Sequence, residues 1–397
     1  MHKTSVPSTS TAIRFFASTR SVATYAYAAA IILYPSTNTT TMAYSSTSSS
    51  IAAIAEARKK RLVYGSNDVL FGHIEEKQGS KPFGSFLDAG TGLHSLRWMA
   101  TLGDLSSSSS DDDEKNENNK DNSNSNSNNK GLTEFIAVTA DETMRKNVQR
   151  EVDQLDINHL GKVVIGNWFP PDNNESQSLR KIDTDIETGK LKLYDTILAD
   201  YLIGAMDGFS PYTQDQMINK LASRLKPGGR LYIVGLEPIP DSFNSNSKNN
   251  NGSKNNQSPP PPQNIICDVR KIRDACILLS GDRCYREYPL QWIVRQITDK
   301  QTTNNSDSNS NNNGNNNKQQ QQKPLLKLVE TQKFPILYRH STIVKQINVA
   351  RNKISKFSSK ALAKEMSIEL DRLEKKSYDA TEAISKDKRI QLGFDYV

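Results

Sequence analysis

Along the chain, apolar residues gather in short runs of two kinds. Gly84 to Asp88 (GSFLD), Glu134 to Thr139 (EFIAVT), Lys162 to Trp168 (KVVIGNW), Tyr194 to Tyr201 (YDTILADY) and Arg230 to Leu236 (RLYIVGL) are compact and of strand length. Between them the spacing turns helical. Leu93 to Leu102 places Leu93, Leu96, Trp98 and Met99 together, and Asp141 to Leu155 places Met144, Val148 and Val152 on one face. A third helix over Gln214 to Leu225 stops at Lys226-Pro227-Gly228-Gly229. Apolar strands separated by helices predict an α/β fold: a parallel sheet covered on both faces. Beyond the fifth strand, Asp268 to Leu279 and Tyr288 to Ile297 read as helices, and Leu325 to Leu337 with Tyr338 to Gln346 read as closing strands. A last helix from Ser359 to Lys376 carries Leu362, Met366, Leu370 and Leu373 on one stripe, which predicts docking on the domain, with a dimer contact as the alternative.

The polar pattern divides the chain further. Residues 106–130, 242–263 and 301–322 are Asn- and Ser-rich runs almost free of apolar side chains, too polar to fold and placed between elements where extra loop length costs little. They explain why only 35% of the 397 residues are hydrophobic. Residues 1–55 hold no Asp or Glu, with Lys3, Arg14 and Arg20 among many Ser, Thr and Ala. That composition predicts a disordered organellar targeting segment over 1–50, for mitochondrion or plastid, with Met42 as a start for a cytoplasmic form. The apolar run Val22 to Tyr34 is too short to span a bilayer. The expected organisation is this leader, one domain over 51–350 interrupted by the three inserts, and a C-terminal amphipathic helix and tail over 351–397.

Charge and cysteine content narrow the chemistry. The net charge of +7 resides in residues 323–397, where sixteen Lys or Arg face nine Asp or Glu without interleaved aromatics, a pattern that reads as a solvated helix face. Cys267, Cys276 and Cys284 lack metal-ligand spacing and read as reduced thiols, with no metal site expected.

The chemistry-bearing motif follows the first strand. Phe86-Leu87-Asp88 runs into Ala89-Gly90-Thr91-Gly92 and then a helix, so glycines bring backbone and free helix N–H groups close to a ligand. A dinucleotide fingerprint would have a third glycine where Ser95 stands, and its pyrophosphate would be repelled by Asp88. A carboxylate there suits a cationic ligand.

With this turn, the later Lys226-Pro227-Gly228-Gly229-Arg230 before a strand, and the order of strands between them, the chain resembles the class I S-adenosylmethionine-dependent methyltransferases over roughly residues 84–237, continuing to about 346. The resemblance implies a Rossmann-like, doubly wound, mostly parallel sheet with a helical lid insertion and a C-terminal helical extension. It implies S-adenosyl-L-methionine as cofactor, with Asp88, Ala89, Gly90, Thr91 and Gly92 at its methionine end. Where the family has an acid for the ribose, this chain has Thr139, and Asp141 is the nearest acid. Either Asp141 reaches back or Thr139 makes a single contact, and Asp141 is equally suited to cap its helix. Asn167 and Trp168 stand at the adenine position, with a core role for Trp168 as the alternative.

At the end of the fourth strand Asp200 and Tyr201 lie beside the transferable methyl in this reading. Asp200 is the first candidate for a base, a helix cap or a cofactor contact being its other readings. Asp207, Tyr212, Glu237 and His340 are lesser candidates. The implied reaction is in-line methyl transfer to oxygen, nitrogen or carbon of a small molecule. The segment Asp268 to Trp292, with Arg270, Arg273, Arg283 and Arg286, is the expected substrate wall, these arginines either holding an acidic substrate or pairing with neighbours such as Asp274 and Glu287. The alternatives are a non-catalytic binding or assembly subunit of this fold, or an RNA or protein methyltransferase. No stable membrane insertion is expected, and the sequence leaves the oligomeric state open.

Overall fold

The computed structural model describes residues 68–102, 131–170, 184, 188–243, 261–298, 326–384 and 387–397. The expected leader and the inserts 106–130 and 301–322 lie outside the described residues, as does 242–263 apart from its ends. Among the described residues no helix is long and apolar enough to cross a membrane.

The chain opens on α1 (Val69–Gln78), a helix the apolar pattern had not disclosed, capped by Asp68, whose side chain accepts from the Leu70 and Phe71 N–H groups. Then follow β1 (Gly84–Asp88), α2 (Leu93–Met99), β2 (Leu132–Thr139), α3 (Glu142–Leu155), β3 (Gly161–Ile165), β4 (Tyr194–Asp200), α4 (Leu202–Phe209), α5 (Gln214–Ala222) and β5 (Leu225–Leu236). The order across the sheet is β3-β2-β1-β4-β5, all parallel, with every residue of β1 buried. This is the doubly wound arrangement that the alternation of strands and helices predicts.

The remainder corrects three expectations. After the lid helices α6 (Gln263–Leu279) and α7 (Leu290–Thr298), only Lys333–Arg339 is strand, β6. His340 begins α8 (His340–Ile354), because Ile343, Ile347 and Ala350 recur at helical spacing and bury themselves, so Tyr338 to Gln346 is not one strand. After α9 (Lys360–Ala383) comes β7 (Arg389–Tyr396), which enters the sheet between β5 and β6, antiparallel to both. The expected helix and tail over 351–397 therefore cuts α8 and contains a strand of the sheet. Third, Lys226-Pro227-Gly228-Gly229 lies inside β5, at the amino edge, where Lys226 pairs with Asp195 at 2.8 Å. It is far in the sheet from the glycine turn and serves strand pairing.

Three cores result. One packs α1, α2 and α3 on the sheet, with Phe71 stacked on Trp98 at 4.5 Å; a second packs α4, α5 and α7 on the other face. A third joins α6, α8 and α9 to β6 and β7, and there Leu370 and Leu373 of the expected stripe are buried. The cysteines are free, with Cys267 and Cys276 buried.

Candidate active site

Asp88 closes β1, and the turn after it is spliced into the neighbouring strands: the Ala89 N–H donates to Leu198 and the Thr91 N–H to Val138. Neither Gly90 nor Gly92 has a positive φ. Gly90 lets the turn pack closely on α4: a Cβ there would lie 2.9 Å from Leu202 Cδ1, so the Leu202 side chain would have to shift. Beside this turn, at the carboxyl edge of β1, β2 and β4, opens a cavity of about 440 Å3. Ala89, Gly90, Thr91, Gly92, Thr139, Asn167, Trp168, Asp200 and Tyr201 all line it, so most of the sequence-predicted residues meet in one place. Ligands of open α/β sheets bind at this edge.

The electrostatics of the site are those of crowded acids. Asp88 is fully buried; its Oδ2 accepts from Ser95 at 2.6 Å and its Oδ1 has no hydrogen-bond partner. Burial pushes the Asp88 carboxyl up to about 7, the Ser95 hydroxyl opposing and Asp200 adding to the rise. Asp200 is half-buried and accepts no hydrogen bond from the described residues. Its carboxyl is pushed up to about 6 by burial, with His94 pulling down and Asp68 pushing up. Tyr201 sits in left-handed backbone (φ 50°), a strained conformation for a non-glycine residue, and its phenol donates to Asp395 Oδ1 at 2.7 Å. Burial and Asp395 hold that phenol protonated well beyond neutral pH. Asp395, on β7, is pushed up to about 7 by burial, the Tyr201 hydrogen bond opposing.

Asp68 and His94 complete the wall, paired at 3.1 Å between Oδ2 and Nε2. Burial raises Asp68, but the His94 contact and the two N–H groups it caps outweigh this and hold it below its ordinary value. The His94 ring packs on Phe71 at 4.7 Å, so the aromatic contacts that dock α1 also deliver the pair.

Several predicted contacts are engaged within the protein. Thr139 Oγ1 donates to Val164 O at 3.3 Å. The Asn167 amide donates to Phe209 O at 3.1 Å and accepts from Phe169 N and from the Ser210 hydroxyl, which leaves it little to offer a base. Trp168 Nε1 donates to Ala89 O at 2.7 Å, bracing the glycine turn, and Arg224 lies over its ring at 5.4 Å. Asp141 is a helix cap, its Oδ1 accepting from Met144 N at 2.9 Å, while its Oδ2 is buried without a partner.

The lesser candidates lie elsewhere. Asp207 faces Arg283 and Arg286 at 3.6 and 3.4 Å, Tyr212 is exposed, Glu237 pairs with Lys333, and His340 bonds Ser377 at the foot of α8. Arg270 and Arg273 pair with Asp241, Glu287 and Asp274, so the lid arginines face neighbouring acids. Sequence reasoning missed Asp68, His94, Tyr285 and Asp395. For Asp68 a signal existed: an Asp ahead of Leu70, Phe71 and Ile74 is the capped start of a helix.

No protein-family model and no curated protein gives a significant match to the chain. Among solved structures it is similar to a candidate sarcosine dimethylglycine methyltransferase from Galdieria sulphuraria (11% identity, 82% of this chain and 81% of that one, TM-score 0.36). It is similar also to an S-adenosylmethionine-dependent methyltransferase from Thiobacillus denitrificans in complex with S-adenosyl-L-homocysteine (9%, 82% and 90%, TM-score 0.35). A third is an S-adenosylmethionine-dependent methyltransferase from Geobacter sulfurreducens with the same ligand (8%, 85% and 96%, TM-score 0.34). The chain's own strand order and crossovers give it the Rossmann-like, doubly wound, mostly parallel sheet that the glycine-turn resemblance implied.

Proposed function

We propose that the protein is an S-adenosylmethionine-dependent methyltransferase that acts on a small molecule. The observation that carries this reading is the cavity itself: a glycine turn at the carboxyl edge of a doubly wound sheet, with Asp200 in its wall and Asp88 buried behind the turn. Among the described residues one Asp88 oxygen has no partner and the Asp200 carboxyl accepts no hydrogen bond, while burial holds both groups well above their ordinary values. A ligand bearing an ammonium and a sulfonium complements that arrangement, because a nearby cation lowers a carboxyl's affinity for its proton. The volume of about 440 Å3 is in the range of small-molecule pockets, and Phe334, Ile336 and Leu337 from β6 give it an apolar side.

When bound, the cofactor supplies a methyl group on positively charged sulfur, activated for displacement. Asp88 and the turn Ala89–Gly92 would hold the methionine end, and the apolar wall of β6 would exclude water. With the cofactor bound, Asp200 would receive the proton of an oxygen or nitrogen acceptor held in line with the methyl group. Tyr201 positions Asp395 through its phenol rather than acting as a base. Isothermal titration with S-adenosylmethionine tests the reading directly. Micromolar binding is expected, and no binding at millimolar ligand removes it. Incubation with methyl-labelled cofactor and an organelle extract then identifies the acceptor: label in the small-molecule fraction is expected, and label only in RNA or protein favours the corresponding alternative.

A second reading, a non-catalytic binding or assembly subunit of this fold, is favoured by the internal bonding of Thr139 and Asn167. Cofactor binding without turnover would support it. The acid-free leader is proposed to direct organellar import, and residues 1–55 fused to a fluorescent protein would then label mitochondria or plastids.

A further inference from the structure

We propose that Tyr285 and Asp141 together grip the vicinal hydroxyls of a bound nucleoside, taking over the ribose contact that Thr139 does not make. The inference rests on the cofactor reading above; Asp141 is already a candidate for this contact, and Tyr285 is the residue newly assigned.

Tyr285 belongs to the segment between α6 and α7, which is strapped across α4. The Arg286 N–H donates to Gly204 O at 3.2 Å, and a Cβ on Gly204 would lie 2.5 Å from the Arg286 carbonyl, so the crossing needs glycine there. Arg283 and Arg286 add contacts to Asp207, itself buried on α4. A Cβ on Gly208 would meet the Tyr285 ring at 3.7 Å, ordinary contact, so the ring lies along α4 and its side chain joins the cavity wall.

The Tyr285 hydroxyl is buried and has no hydrogen-bond partner, and neither has Asp141 Oδ2. The two are therefore not bonded to each other, although burial and then the Asp141 charge push the phenol up. Buried polar atoms are rarely left unpaired. A hydroxyl that donates to Asp141 Oδ2 and accepts from the Tyr285 O–H satisfies both atoms at once. Thr139, Ala140 and Met144 line the same cavity at the end of β2, with Asp141 set just behind that wall, and Thr139 is engaged with Val164.

Titration calorimetry with S-adenosylhomocysteine, and with its analogue lacking both ribose hydroxyls, tests the pair in wild type, Tyr285→Phe and Asp141→Asn. Asparagine preserves the helix cap. Each substitution is expected to weaken S-adenosylhomocysteine about tenfold, the effect of losing one buried hydrogen bond. Wild type should prefer the intact ribose and the double variant should not, with ligand-free melting temperatures unchanged within about 2 °C. Binding that both variants leave unchanged overturns the pair alone and assigns the two atoms to a buried water. No binding of S-adenosylhomocysteine to wild type overturns the cofactor reading, and the pair with it.

Discussion

At Asp88 the folded protein retains a proton up to about pH 7 that an unfolded chain releases near 3.8. Asp395 and Asp200, pushed up to about 7 and 6, behave alike. Between about pH 4 and 7 the folded state thus binds more protons than the unfolded one, and this contribution to stability is lost as pH rises. Asp68, held low, titrates below that window. We expect the ligand-free melting temperature to fall by several degrees from pH 5 to pH 7.5, and Asp88→Asn to flatten the slope while abolishing cofactor binding; differential scanning fluorimetry at both pH values checks this. An equal slope in the variant would show that Asp88 is not the group concerned. For Asp200→Asn the expected result is a kcat lower by about 100-fold with cofactor affinity within a few-fold, and loss of an activity limb near pH 6. The positions of the glycine turn and of Asp200 at the cavity were legible because each lies directly at the carboxyl end of its own strand. Asp395 was not, since it reaches Tyr201 across 194 residues of chain.

Among the elements, α4 organises the site: it meets the glycine turn through Leu202 at Gly90, carries the strap at Gly204, and follows the strained Tyr201. At Gly204 an added methyl would run into backbone, whereas at Gly90 it would displace the Leu202 side chain. Gly204→Ala is expected to destabilise the protein by about 1–3 kcal/mol, by overpacking against the Arg286 carbonyl, and to weaken cofactor binding together with Tyr285. Thermal melts and calorimetry on the one variant read both effects; a full loss of stability with unchanged affinity would separate the strap from the site. The sequence pattern resolved the buried parallel strands and failed at β6 and α8. Tyr338, His340 and Thr342 alternate as a strand would, whereas the helical signal at Ile343, Ile347 and Ala350 emerges only over a longer window.

On the scale of the whole molecule, a few residues of the chain's last segment serve both sheet and cavity. Residues 389–396 sit between β5 and β6, supply Ile390, Leu392 and Tyr396 to the cores, and bring Asp395 to the cavity. The apolar pattern alone placed them in a tail, because a strand of the sheet that arrives after two helices has no local partner to announce it. Removing residues 389–397 would leave β6 without its neighbour and expose both cores, and an insoluble or non-cooperatively melting protein is expected. Deleting 106–130 should shift the melting temperature by no more than about 2 °C, because loop closure depends only weakly on length. The described residues on either side already meet, Leu132 N donating to Leu102 O at 3.4 Å. Asp395→Asn separates the two roles of β7: the amide oxygen still accepts from Tyr201, so the fold should persist, while the charge beside Asp200 is gone. Comparative melts of the three variants decide the matter, and a truncated chain with the parental melting temperature would show that β7 contributes neither sheet nor site.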